Sequence, residues 1–102
     1  MTPHAKLKQD IFKKYGADPR CRIWNAPTGL FTSEWGSKIR VGITGQADIQ
    51  GIRKKDGKHI SIECKVGLDG LSSEQINWGR MIETYNGVWI ECRSVDEIEK
   101  IL

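Results

Sequence analysis

GQADIQGIRKKDGKHISIECKVG, Gly45 to Gly67, decides the fold. Two alternating runs, Ala47 to Arg53 and Lys58 to Val66, lie on either side of Asp56-Gly57. Asp-Gly between such runs is a strong signal for a two-residue hairpin turn. With Lys55 and Lys58 flanking that turn as a pair, Asp48 falls opposite Lys65 and Gln50 opposite Glu63. Side chains alternate along a strand, so Asp48, Gln50, Glu63 and Lys65 share one face. Ala47, Ile49, Gly51, Ile60, Ile62, Cys64 and Val66 take the other face, which belongs in the core. A slip of one residue would expose that apolar set, so the pattern resists it. Opposed side chains stand roughly 5 Å apart and diagonal ones about 7–8 Å. Two carboxylates and an amine therefore converge on a space that suits one small ion.

The rest of the chain supplies cover for this hairpin. His4 to Tyr15 places Leu7, Ile11, Phe12 and Tyr15 at helical spacing, and Gly16 ends the run. Cys21 to Trp24 is a short strand. Asn25 to Gly45 is irregular, with one short strand near Lys38 to Val41; so long a loop in a small domain is functional or mobile. Ser72 to Tyr85 is a helix with Trp78, Met81, Ile82 and Tyr85 inward. Val88 to Cys92 is a strand. Ser94 opens a last helix with Glu97 completing a capping box and Val95, Ile98, Ile101 and Leu102 on its apolar side. This order predicts an α/β domain, a mixed β-sheet flanked by helices.

Composition bounds the rest. A chain of 102 residues makes one domain, residues 1–102, with one modest core. Its 38% apolar and 28% charged residues are ordinary for a globular chain. No apolar run reaches membrane-spanning length and the N-terminal MTPHAKLKQD has no signal-peptide character, so no membrane partner and a cytoplasmic location are expected. Cys21, Cys64 and Cys92 form no CxxC pair, and Cys64 and Cys92 fall in strands, as reduced buried thiols. A net charge of +3 permits a nucleic-acid partner without demanding one.

Carboxylates with hard oxygens and no thiolate or imidazole companions suit Mg2+ or Mn2+ rather than zinc. His4 and His59 lie far apart in sequence, which argues against a histidine site. Asp48 and Glu63 are the expected metal ligands, joined by the backbone carbonyl of Cys64. Lys65 is placed to orient or deprotonate a water on the ion, and the chemistry is in-line attack on a phosphodiester.

An acid on one strand followed by Glu-x-Lys on the next resembles the PD-(D/E)xK nuclease superfamily, with Ala47 in place of the usual proline. The segments WNAPTG, IRVGITGQADIQGI, ISIECKVGLDGLSSEQINW and GVWIECRSVDEIEKIL resemble the virus-type replication–repair nuclease domain, VRR-NUC, from about Cys21 to the end. That resemblance implies a restriction-endonuclease-like fold, catalytic Asp48, Glu63 and Lys65, and a supporting Gln75. It implies a homodimeric Holliday-junction resolvase of phage type, acting on branched or duplex DNA in the host cytoplasm. A repair, flap or nick nuclease of the same fold, or an inactive DNA-binding module, are the other readings. The family often carries a first-helix glutamate at the metal. Here Lys6 or Lys8 stands there, with Gln9 and Asp10 as nearest polar substitutes.

Other residues carry paired expectations. Ser72-x-x-Gln75 also matches a capping box, so Gln75 serves the helix end, the site, or both. Asn25 is read as a DNA contact or as the residue setting a turn before Pro27. Arg22, Lys38, Arg40, Lys54 and Lys55 are the expected phosphate contacts, with Lys54 and Lys55 at the hairpin turn gripping duplex arms. Trp78 and Trp89 are expected in the core. Trp35 is also expected there, ahead of stacking on a base.

Overall fold

The central hairpin forms, with its register displaced by two residues from the expected one. Ile49 pairs with Ile62 and Gln50 with Ser61 in an antiparallel ladder. The cause is the turn. Arg53 grips Asp56 through two guanidinium hydrogen bonds, and the Asp56 carboxylate also accepts the Lys58 N–H. Arg53 and Lys58 thus close a four-residue loop, with Gly57 at φ +71°. A two-residue displacement preserves which side chains share a face, but it moves Lys65 away from Asp48. Continued one step past the Ile49–Ile62 pair, the ladder sets Asp48 opposite Glu63.

The computed structural model describes residues 1–102. Helix α1 (Pro3–Tyr15) is followed by strands β1 (Cys21–Asn25), β2 (Gly29–Thr32), β3 (Lys38–Val41), β4 (Ile49–Arg53) and β5 (His59–Cys64), then α2 (Ser73–Thr84), β6 (Val88–Cys92) and a 3₁₀ helix (Val95–Ile101). The chain is a mixed α/β fold. Its main sheet has the order β1-β4-β5-β6. The first three of these strands run antiparallel and β6 lies parallel to β5, with α2 as the connection. A separate two-stranded sheet joins β2 to β3. No helix is long and apolar enough to cross a membrane.

The two sheet faces are covered differently. Ile23, Ile49, Ile60, Ile62, Cys64 and Cys92 are buried beneath Leu7, Ile11 and Tyr15 of α1 and Ile98 and Ile101 of the 3₁₀ helix. Arg20 and the Tyr15 hydroxyl both hydrogen-bond Glu99, which ties α1, β1 and the 3₁₀ helix together. The opposite face is polar. There Gln50, Ser61 and Glu63 are buried, and α2 covers only the β5–β6 half, with Trp78 Nε1 donating to Ser61 Oγ at 2.7 Å. A small residue lets α2 approach so closely. A Cβ on Gly79 would stand 2.6 Å from the Trp89 ring. Gly79→Ala is therefore expected to cost about 1–3 kcal/mol of stability, read from a denaturant midpoint, by lifting α2 off the sheet.

Gly29–Thr32 is a strand, so the irregular region contains a hairpin rather than one lone strand. Trp35 is 87% exposed and Tyr85 77% exposed, so neither joins the core. The last segment winds as a 3₁₀ helix, and Ser94 makes no side-chain cap. Its tighter i to i+3 winding instead brings the Ser94 hydroxyl to the Glu97 carboxylate. Cys64 and Cys92 are free and buried, as expected. Burial pushes both thiols up, Cys92 to about 11.

Candidate active site

The polar face leads from buried Gln50 and Ser61 to Glu63 at the end of β5. Glu63 is 3% exposed. Its Oε1 accepts a hydrogen bond from Gln75 Nε2 at 2.9 Å, and Lys65 Nζ lies 3.9 Å from the same oxygen. Its Oε2 is buried and has no partner. Burial, then the neighbouring Asp48 carboxylate, pushes Glu63 up to about 8. An unpaired buried carboxylate oxygen is costly unless a proton or cation meets it.

Asp48 lies just before β4. Its Oδ2 accepts the Cys64 N–H at 3.0 Å and lies 3.2 Å from His4 Nε2. Its carbonyl accepts the Ala26 N–H, which fixes the β1 exit beside the site. Cys64 therefore faces Asp48 with its backbone while its thiol sits in the core.

Gln75 holds both roles read from the sequence. Its Oε1 accepts the Ser72 N–H while Ser72 Oγ accepts the Gln75 N–H, completing the capping box. The remaining Nε2 reaches Glu63. One side chain thus registers the start of α2 against the carboxylate.

The first helix does not deliver Asp10, the acid weighed for it, to the carboxylates. Asp10 is held by Lys6 at 2.7 Å. The residue that α1 brings to Asp48 is His4, which a sequence separation of 44 residues hid. His4, Lys8 and Asn25 line a shared cavity of about 360 Å³ beside α1. Of the two lysines standing where the resemblance expects a glutamate, Lys8 is the one that lines this cavity with His4 and Asn25.

Asp48, Glu63, Lys65, Gln75 and Asn25 gather at one end of the sheet. Lys54 and Lys55 sit beyond the far end of β4, roughly 20 Å away along the strand, where they line a cavity with Arg20 and Leu102. Arg22 is exposed on the edge strand β1. Lys38 and Arg40 belong to the β2–β3 hairpin, hydrogen-bonded to Thr32 and Thr44. Arg40 and Leu30 share one side of this hairpin, and Phe31 and Ile39 the other.

No three His, Cys, Asp or Glu side chains converge closely enough to hold an ion by themselves. The orphaned Glu63 oxygen beside Asp48 nevertheless fits a hard divalent cation completed by backbone oxygen and water. Set against known proteins, the chain matches no family model and no curated protein.

Proposed function

We propose that this chain is a metal-dependent endodeoxyribonuclease of the VRR-NUC kind, built on a restriction-endonuclease-like sheet and acting on branched DNA as a Holliday-junction resolvase. The observation that carries the reading is the buried Glu63, with a partnerless Oε2, set beside Asp48 and Lys65. Surface acids do not need such a setting, whereas a cation site does.

Asp48, Glu63 and the Cys64 carbonyl would hold Mg2+ or Mn2+. When bound, the ion would acidify a water and offset charge developing on the phosphate. Gln75 fixes Glu63 through Oε1 and leaves Oε2 free. Lys65, 3.9 Å from Glu63, would orient the attacking water and take part in moving its proton. His4 holds Asp48 Oδ2 in place. Resolving a junction takes two symmetric nicks, so the active form would be a homodimer. An inactive DNA-binding module is the second reading, favoured by one observation: α1 offers an imidazole rather than a third carboxylate.

The test is cleavage of an end-labelled four-way junction, a matched linear duplex and a flap, each with magnesium or manganese. Paired symmetric nicks confined to the junction are expected. Cutting of flap or duplex alone would keep the nuclease and remove the resolvase. Binding without cutting would leave the DNA-binding module.

A further inference from the structure

The uncovered half of the polar face contains a cleft of about 290 Å³ between β1, Gln46 and α2. Its walls include Trp24, Gln50, His59 and Trp78. Trp24 is 41% exposed although it lies on the main sheet, because α2 stops short of β1. The indole is nevertheless held. His59 meets it edge-on, with centroids 6.5 Å apart and planes at 69°.

His59 is held in turn from below. Gln50 is 5% exposed, and its Nε2 donates to the Ala47 carbonyl. Its Oε1 is therefore the acceptor for His59 Nε2–H at 2.6 Å, which assigns the imidazole tautomer. Burial keeps this imidazole below its usual range and so neutral. At the mouth, Asn25 carries an amide, and Gln46 spends its Nε2 on the Ala26 and Pro27 carbonyls, leaving Oε1 unused. The cleft thus presents a preset aromatic surface with amide groups at its rim. A planar heterocycle with a hydrogen-bonding edge matches both features.

Gln50 is two residues from Asp48 and Ser61 two from Glu63, on the same face. Two residues span roughly 7 Å of strand. A base in the cleft would stand next to a phosphate at the carboxylates.

We propose that this cleft receives one unpaired nucleobase of the DNA strand whose phosphate lies at Asp48 and Glu63, stacked on Trp24. The proposal rests on the nuclease reading for its ligand and names what that site recognises: a nucleotide already out of the helical stack.

The experiment measures equilibrium binding in calcium to a duplex carrying a single unpaired nucleotide, and to the same duplex with an abasic sugar there. Wild type, Trp24→Ala and Trp24→Phe are compared, with cleavage of the four-way junction, the flap and the linear duplex in magnesium and manganese run alongside. Removing the base should weaken wild-type binding on the order of tenfold. Trp24→Ala should erase that difference, and Trp24→Phe should keep most of it. Equal wild-type affinity for both duplexes would overturn the proposal, as would full discrimination by Trp24→Ala. Discrimination without cleavage under either metal would keep the cleft and remove the nuclease. Cleavage without discrimination would do the reverse, and absence of DNA binding would remove both.

Discussion

Lys65→Ala will lower strand cleavage by about two to four orders of magnitude, the range of a lost proton-transfer group, with DNA affinity in calcium nearly unchanged. The side chain is 14% exposed, and its Nζ lies 3.9 Å from the buried Glu63 oxygen. It is therefore a wall of the site rather than a free surface cation. Its loss removes the positive charge nearest a pair of carboxylates, at the place where a water would be oriented. Lys65→Arg separates two explanations. Arginine keeps the charge but does not release its proton near neutral pH. Activity restored by arginine would make the role electrostatic; continued loss would assign proton transfer to the amine. A matched fall in binding and cleavage would instead make Lys65 a phosphate anchor.

Glu63→Gln will stabilise the metal-free protein at pH 8 while abolishing cleavage. The folded protein holds the Glu63 proton up to about pH 8, because the carboxyl is buried and Asp48 adds a like charge. The unfolded chain releases it near the ordinary glutamate value of about 4.3. The native state thus binds the extra proton between these limits. Stability is intact below the lower one and declines as pH rises towards the upper. Melting temperature without divalent ions should fall by on the order of 20 °C across this range. Glutamine, already neutral, removes the decline while its oxygen still accepts from Gln75. His59 titrates in the opposite sense, because burial keeps it neutral and stability is lost as pH falls through its range. It is common to both proteins, so the difference between them isolates Glu63. Millimolar magnesium or manganese should flatten the wild-type decline and leave the variant unmoved. Parallel melting curves for the two proteins would remove both the buried-charge argument and the metal site built on it.

Strong periodicity carried the parts of the fold that the sequence made legible. Alternation assigned the inward set Ile49, Ile60, Ile62 and Cys64, all fully buried. The displaced hairpin register changed none of these assignments, because a shift by two keeps every residue on its face. It did change who meets whom, and that depends on the turn. Asp56-Gly57 reads as a two-residue loop until the Arg53 guanidinium captures the Asp56 carboxylate. Two textual capping boxes diverged for a similar reason. Ser72 and Gln75 bond reciprocally at the start of an α-helix, whereas the same spacing at Ser94 and Glu97 falls in a 3₁₀ segment. Long-range contacts left no local trace. His4 reaches Asp48 only because α1 crosses the sheet end where β4 begins, and nothing near His4 announces it. Gly29–Thr32 was too short, and too close to Pro27, to stand out as a strand.

The β2–β3 hairpin contributes no side chain to the buried core, and Leu30, Phe31, Trp35 and Ile39 all face solvent. Stability therefore places little selective demand on these residues. Changes in the hairpin leave the pairing of the main sheet that carries the carboxylates untouched, since its two strands pair only with each other. Substitutions in such an appendage are expected to cost little stability, unlike those at the buried carboxylate. Glu63 is pinned by burial and by its bond from Gln75, whereas the hairpin's apolar side chains rest on none of the buried core.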